Sequence, residues 1–142
     1  MKKRILSILI LLNLALIWGN SLMPGQVSGE MSGGIVAWLG NFLPFFSTEA
    51  GHHFLRKAAH FSEFCLLGIH TGTRRALSGK DLKLTGAGYG LAAACIDETI
   101  QVYVPGRGSS LLDVWIDTAG FATGLLIAML GHRIRTKHNR ND

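Results

Sequence analysis

Apolar residues fall along this chain in blocks long enough to cross a bilayer. The first block runs from Ile5 to Trp18 behind Lys2, Lys3 and Arg4, as in a secretory signal peptide. The stretch from Gly19 to Pro24 leads into further apolar blocks rather than into a soluble domain, so the block reads as a retained first span of about residues 5–22. Between Pro24 and Thr48 the chain is rich in Gly, Ser and Pro, yet Ile35, Trp38, Leu39 and Phe42 recur at helical spacing. That pattern fits a short helix lying in the membrane interface, where Trp and Phe favour the headgroup level, or an ordinary loop with apolar anchors. Three more spans follow at about 53–73, 82–104 and 111–130, each interrupted by polar residues. The predicted architecture is all-α: a single domain over 1–142, built as a bundle of four transmembrane helices with a short interfacial helix after the first.

Composition supports lipid as the solvent. Of 142 residues, 48% are hydrophobic and 16% charged, and the 18 glycines suit membrane helices whose backbones approach closely. Gly86, Gly90 and Ala94 in the third span, and Gly120, Gly124 and Ala128 in the fourth, repeat every four residues and predict close-packed faces. The net charge of +5 does not point to nucleic acid, because the basic residues form no stripe interleaved with aromatics. They sit at span ends. With both termini cytoplasmic, the inner segments hold Lys2, Lys3 and Arg4, then Arg74, Arg75, Lys80 and Lys83, then Arg133, Arg135, Lys137 and Arg140: eleven of fourteen. This obeys the excess of basic residues in short cytoplasmic loops. Three-span and two-span alternatives break the rule or leave an apolar run in water. Cys65 and Cys95 have no CxxC spacing and read as buried structural thiols.

The remaining basic residues, Arg56, Lys57 and Arg107, fall on the outer side together with the polar interruptions. At about 1.5 Å per residue, His60 and Glu63, then Asp97, Glu98 and Gln101, then Asp113 and Asp117 all lie within roughly the outer third of the bilayer. Spacings of three and four put each set on one helix face. An ionised group facing lipid near mid-bilayer costs at least about 2.5 to 3.5 kcal/mol, so these groups are expected to line a wet cavity or to pair with one another. Arg107 sits at the tip of the turn Val104-Pro105-Gly106-Arg107-Gly108. There it could grip a phosphate or carboxylate over the cavity mouth, or brace Asp113 or Glu98.

The strings Lys57-Ala-Ala-His60-Phe61-Ser-Glu63-Phe64 with Gly68, Asp97-Glu98-Thr-Ile-Gln101-Val-Tyr103-Val-Pro105-Gly106-Arg107, and Asp113 followed by Asp117 and Gly120 resemble the VanZ-like family of small bacterial membrane proteins. The resemblance covers nearly the whole chain, including Asn20-Ser21-Leu22 with Pro24. It implies a multi-pass protein of the bacterial cytoplasmic membrane. The family is named for a protein that raises resistance to the lipid-tailed glycopeptide teicoplanin, so resistance is one phenotype the resemblance suggests.

Three functional readings follow. In the first, an outward-facing polar cavity binds or modulates an amphipathic cell-envelope molecule, with Lys57, Gln101, Arg107, Asp113 and Asp117 as binding residues and Arg56 as a further cation for the anionic head. In the second, a membrane-embedded enzyme acts on a lipid-linked phosphate or sugar, with His60, Glu63, Asp97 and Glu98 as candidate acids and bases. No cofactor is required by the sequence and no metal signature such as HExxH is present, though clustered carboxylates could hold a divalent cation such as Mg²⁺. In the third, the charges form an internal network that only assembles the bundle. Membrane lipids or lipid-linked envelope molecules are the expected partners, and the oligomeric state stays open.

Overall fold

A computed structural model of the chain describes residues 1–79 and 84–138. Lys80, Lys83 and Arg140 lie outside the described residues. The fold is all-α, with α1 (Lys2–Ser21), α2 (Gly25–Gly40), a one-turn 3-10 helix (Pro44–Ser47), α3 (Glu49–Ala76), α4 (Leu84–Val102) and α5 (Leu111–His138).

Local chemistry sets the helix ends. Pro24 closes α1 and opens α2, since its ring fixes φ and removes a donor. At the start of α3 the Thr48 hydroxyl accepts a hydrogen bond from the Gly51 amide (3.2 Å), and Glu49 faces the positive end of the helix dipole. Arg74 and Arg75 occupy the last turn of α3, which gives way to Gly79 at φ +64°. The Ser110 hydroxyl accepts from the Leu112 amide (3.1 Å) and Asp113 lies in the first turn of α5. The stretch between the first two spans is therefore a helix of 16 residues rather than a loop. α3 outruns its expected span at both ends, and α5 continues to His138 because Arg133, Arg135 and Lys137 favour its C-terminal turns.

α1 and α4 run opposite to α3 and α5. The tightest pair is α3 with α5, which are parallel and meet through glycines. A Cβ on Gly68 would strike the Phe121 carbonyl, one on Gly120 the Phe61 carbonyl, and one on Gly124 the Cys65 carbonyl. Backbone therefore touches backbone, which supplies the dispersion contact that lipid cannot drive. On α4, Gly90 lies under the Phe121 ring and Ala94 is buried; the surroundings of Gly86 lie outside the described residues. The apolar core is small: Ile17, Phe64, Leu67, Ala93, Ala94, Phe121 and Leu125.

The solvent pattern is inverted relative to a water-soluble domain. Leu11, Leu16, Leu112 and Trp115 are each more than half exposed, whereas Asp97 is 0% and Asp117 1% exposed. Lipid-facing apolar side chains around a polar interior are what a bilayer selects. Two described helices, Lys2–Ser21 and Leu111–His138, are long and apolar enough to cross a membrane. α3 and α4 fall below that hydropathy because they carry the interior charges. Trp38 and Trp115 are exposed. Cys65 is half-buried, and Cys95, expected in the interior, is exposed because its side of α4 faces away from the bundle.

Candidate functional site

The site is organised around Asp97. Its Oδ1 accepts a hydrogen bond from the Ser21 hydroxyl (2.6 Å) and its Oδ2 accepts from Gln101 Nε2 (2.8 Å). Gln101 Nε2 also lies 3.4 Å from the Ser21 hydroxyl and 3.4 Å from Glu98 Oε1. The other Glu98 oxygen, Oε2, accepts from the Ser110 amide at the start of α5 (2.8 Å), so Glu98 links the ends of α4 and α5. Ser21, Asp97, Glu98, Gln101 and Asp117 are all buried.

His60 of α3 and Asp117 of α5 complete the interior cluster. His60 Nδ1 is 3.8 Å from Asp97 Oδ2 and 4.0 Å from Asp117 Oδ1. Both distances exceed hydrogen-bond range. Neither carboxylate oxygen of Asp117 has a hydrogen-bond partner among the described residues. One ligand atom from each of His60, Asp97 and Asp117 falls within 4.8 Å of the others, so among the described residues these three are the group that could hold a metal ion. The space that His60 and Asp117 border with Arg56, Lys57, Glu98, Gln101 and Asp113 is about 10 Å³, room for about one water-sized occupant.

Glu63, one helical turn along α3 from His60, turns instead toward α1. It accepts from Asn20 Nδ2 (2.9 Å), while Asn13 Nδ2 bonds its backbone carbonyl (3.3 Å). Asp113 pairs with Lys57 in a short ion pair between α5 and α3. The structure thus brings His60, Asp97, Glu98, Gln101 and Asp117 together, and sets Glu63 and the Lys57–Asp113 pair to either side. His70 leaves its Nδ1 without a hydrogen-bond partner among the described residues.

Arg107 is held by the backbone at the end of α1. Its Nη2 donates to the Asn20 carbonyl (2.6 Å) and its Nε to the Met23 carbonyl (3.0 Å), so it caps the C-terminal end of α1 rather than bracing Asp113 or Glu98. The turn that carries it, with Gly106 at φ +73°, is also pinned by the Gly25 amide, which donates to the Pro105 carbonyl (3.1 Å). Burial, then the nearby Arg56 charge, pull the Arg107 guanidinium below its ordinary value.

Arg56 is left differently. Its side chain makes no hydrogen bond or ion pair with any described residue. It borders the small acid-lined space and a second recess of about 320 Å³ between α2 and α3, lined also by Gly25, Ser28, Gly29, Glu49, His52 and His53. A larger groove of about 510 Å³ runs between α1, α3 and α4. Leu14, Leu67 and Ala92 line its walls, Trp18 and Ile96 its end nearest Asp97, and Arg74 and Arg75 its far end.

Sequence reasoning missed the contribution of α1. Ser21 and Asn20 bond the acids of α4 and α3, and Asn13 bonds the α3 backbone. The signal was present: Asn13, Ile17 and Ser21 recur every four residues in an otherwise apolar helix, and all three are buried.

Residues 6–132 match a family model described as VanZ/LLP1. Comparison with curated proteins and with solved structures returns no match.

Proposed function

This chain belongs to the VanZ/LLP1 family, and from that premise we propose that it is a four-span protein of the bacterial cytoplasmic membrane that binds the anionic head of an amphipathic cell-envelope molecule at its outer face. The family and the two apolar helices make it a membrane protein. Support for four spans comes from length and charge. α3 and α4, of 28 and 19 residues, reach the roughly 20 residues a span requires. Their directions gather Lys2, Lys3 and Arg4, Arg74 and Arg75, and Arg133, Arg135 and Lys137 at one end of the bundle, the cytoplasmic end under the positive-inside rule.

The observation that carries the binding reading is Arg56. Lys57 and Arg107, the other outer cations, are engaged within the protein; the Arg56 guanidinium has no hydrogen-bond or ion-pair partner among the described residues and borders a recess large enough for a phosphate or sugar head. The apolar groove, whose end is lined by Trp18 and by Ile96, the neighbour of Asp97, suits an acyl tail. Resistance to a lipid-tailed glycopeptide is the phenotype such binding would produce. The test is native mass spectrometry of the full chain released from mild detergent, beside an Arg56→Ala variant. Anionic lipid adducts should fall at least about tenfold in the variant while zwitterionic ones persist; equal profiles would end this reading. Expression in a teicoplanin-sensitive host, with and without Arg56→Ala, tests the phenotype.

A second reading, an enzyme acting on a lipid-linked phosphate or sugar, is favoured by the position of His60 between two buried aspartates. Headgroup turnover that disappears in Asp97→Asn would replace binding with catalysis.

A further inference from the structure

We propose that His60, Asp97 and Asp117 form a binding site for one divalent transition-metal ion, with zinc(II) as the fitting case. The site does not depend on the headgroup reading.

Asp117 carries the argument. A carboxylate 1% exposed, with neither oxygen hydrogen-bonded to a described residue, is a costly arrangement that a cation would relieve. Its neighbours supply the rest of a ligand set. The three ligand atoms come from α3, α4 and α5 and lie within 4.8 Å of one another. They are too far apart to bond each other directly: His60 Nδ1 is 3.8 Å from Asp97 and 4.0 Å from Asp117. Two ligands held at roughly 2.1 Å from a tetrahedral ion are about 3.4 Å apart, so loading requires the two His60 distances to contract by about half an ångström and the aspartate pair, within 4.8 Å, by no more than about 1.4 Å. The adjoining space of about 10 Å³ accommodates an ion or one water, not a headgroup.

The surroundings also behave as a second shell. Ser21 and Gln101 each donate to Asp97 and fix the orientation of its carboxylate, as outer partners do for metal ligands. Two aspartates neutralise a divalent charge. The imidazole in the set favours zinc over magnesium or calcium, which take oxygen ligands.

The test uses full-length, tag-free protein in mild detergent, stripped with EDTA, freed of chelator and titrated with Zn²⁺. Bound zinc is counted by elemental mass spectrometry and the melting temperature is followed in parallel. The wild-type chain should retain one zinc per chain and melt higher when loaded. Asp117→Asn and His60→Gln should each weaken binding by at least roughly tenfold. A His52→Ala/His53→Ala variant controls for the exposed histidines and should bind like wild type. The proposal is overturned if the wild type holds no stoichiometric zinc, if both site variants bind as it does, or if the His52/His53 variant is the one that loses the metal. Should either site variant fail to fold, Co²⁺ in the wild-type chain decides. A visible ligand-field spectrum unchanged by His52→Ala/His53→Ala supports the site, and its absence or loss overturns it.

Discussion

Ser21 on α1 and Asp97 on α4, seventy-six positions apart, share a 2.6 Å hydrogen bond with both residues 0% exposed. The bond ties the first helix to the acid cluster in the interior of the bundle. Ser21→Ala removes the donor and leaves a buried carboxylate oxygen short of a partner, at a cost of about 1–3 kcal/mol. The expected outcome is a lower melting temperature in detergent with helical content retained. An unchanged melt would mean that this contact does not hold α1 in place.

Glycines at the α3–α5 seam are predicted to be far less replaceable than those elsewhere. Gly124→Ala would drive a methyl group into the Cys65 carbonyl and Gly120→Ala into that of Phe61. Overpacking of this kind costs typically about 1–3 kcal/mol. Gly88, with nothing within 4 Å of its Cβ position, should accept alanine within about 1 kcal/mol. Comparing the melts of the three variants checks the contrast.

Arg107 and Arg56 should separate stability from binding. Arg107→Ala strips two hydrogen bonds from the carbonyls that end α1 and should cost about 1.5–3 kcal/mol. Lysine does not restore it, because one ammonium lacks the fork that reaches both carbonyls. Arg56→Ala should change stability by no more than about 0.5 kcal/mol, since its side chain has no hydrogen-bond or ion-pair partner among the described residues. Paired thermal melts and lipid-adduct spectra distinguish the two.

Orientation is checked with single cysteines in a background lacking Cys65 and Cys95. A cysteine at Gly108 should react with a membrane-impermeant maleimide added to intact cells. One at Leu77 should react only after permeabilisation. The reverse pattern would put the acid cluster at the cytoplasmic face and overturn the outward-facing site.

How much of this could be seen in the linear chain depended on where each partner was encoded. The spacing of Asp97 with Gln101 was legible, because residues four apart on a helix share a face whatever surrounds them. The gathering of His60, Asp97 and Asp117 followed from depth: polar groups at similar distances from the span ends have few places to go but inward. The role of Arg107 was not legible, since its partners are the carbonyls of Asn20 and Met23, and any residue type carries a carbonyl. The split between His60 and Glu63 was hidden as well. Both were expected on one face, yet Asn20 draws Glu63 toward α1, and only the placement of α1 reveals that. α2 was half legible: its aromatic spacing predicted a helix, while its glycines argued for a loop.

The glycine seam between α3 and α5 does more than join two helices. His60 precedes Phe61, whose carbonyl meets Gly120, and Gly120 lies three residues past Asp117. The gap between imidazole and carboxylate is therefore gauged by the thickness of two bare backbones, not by side chains free to change rotamer. A single methyl group inserted at that seam would act as a shim, altering the spacing of the acid cluster without touching any of its members.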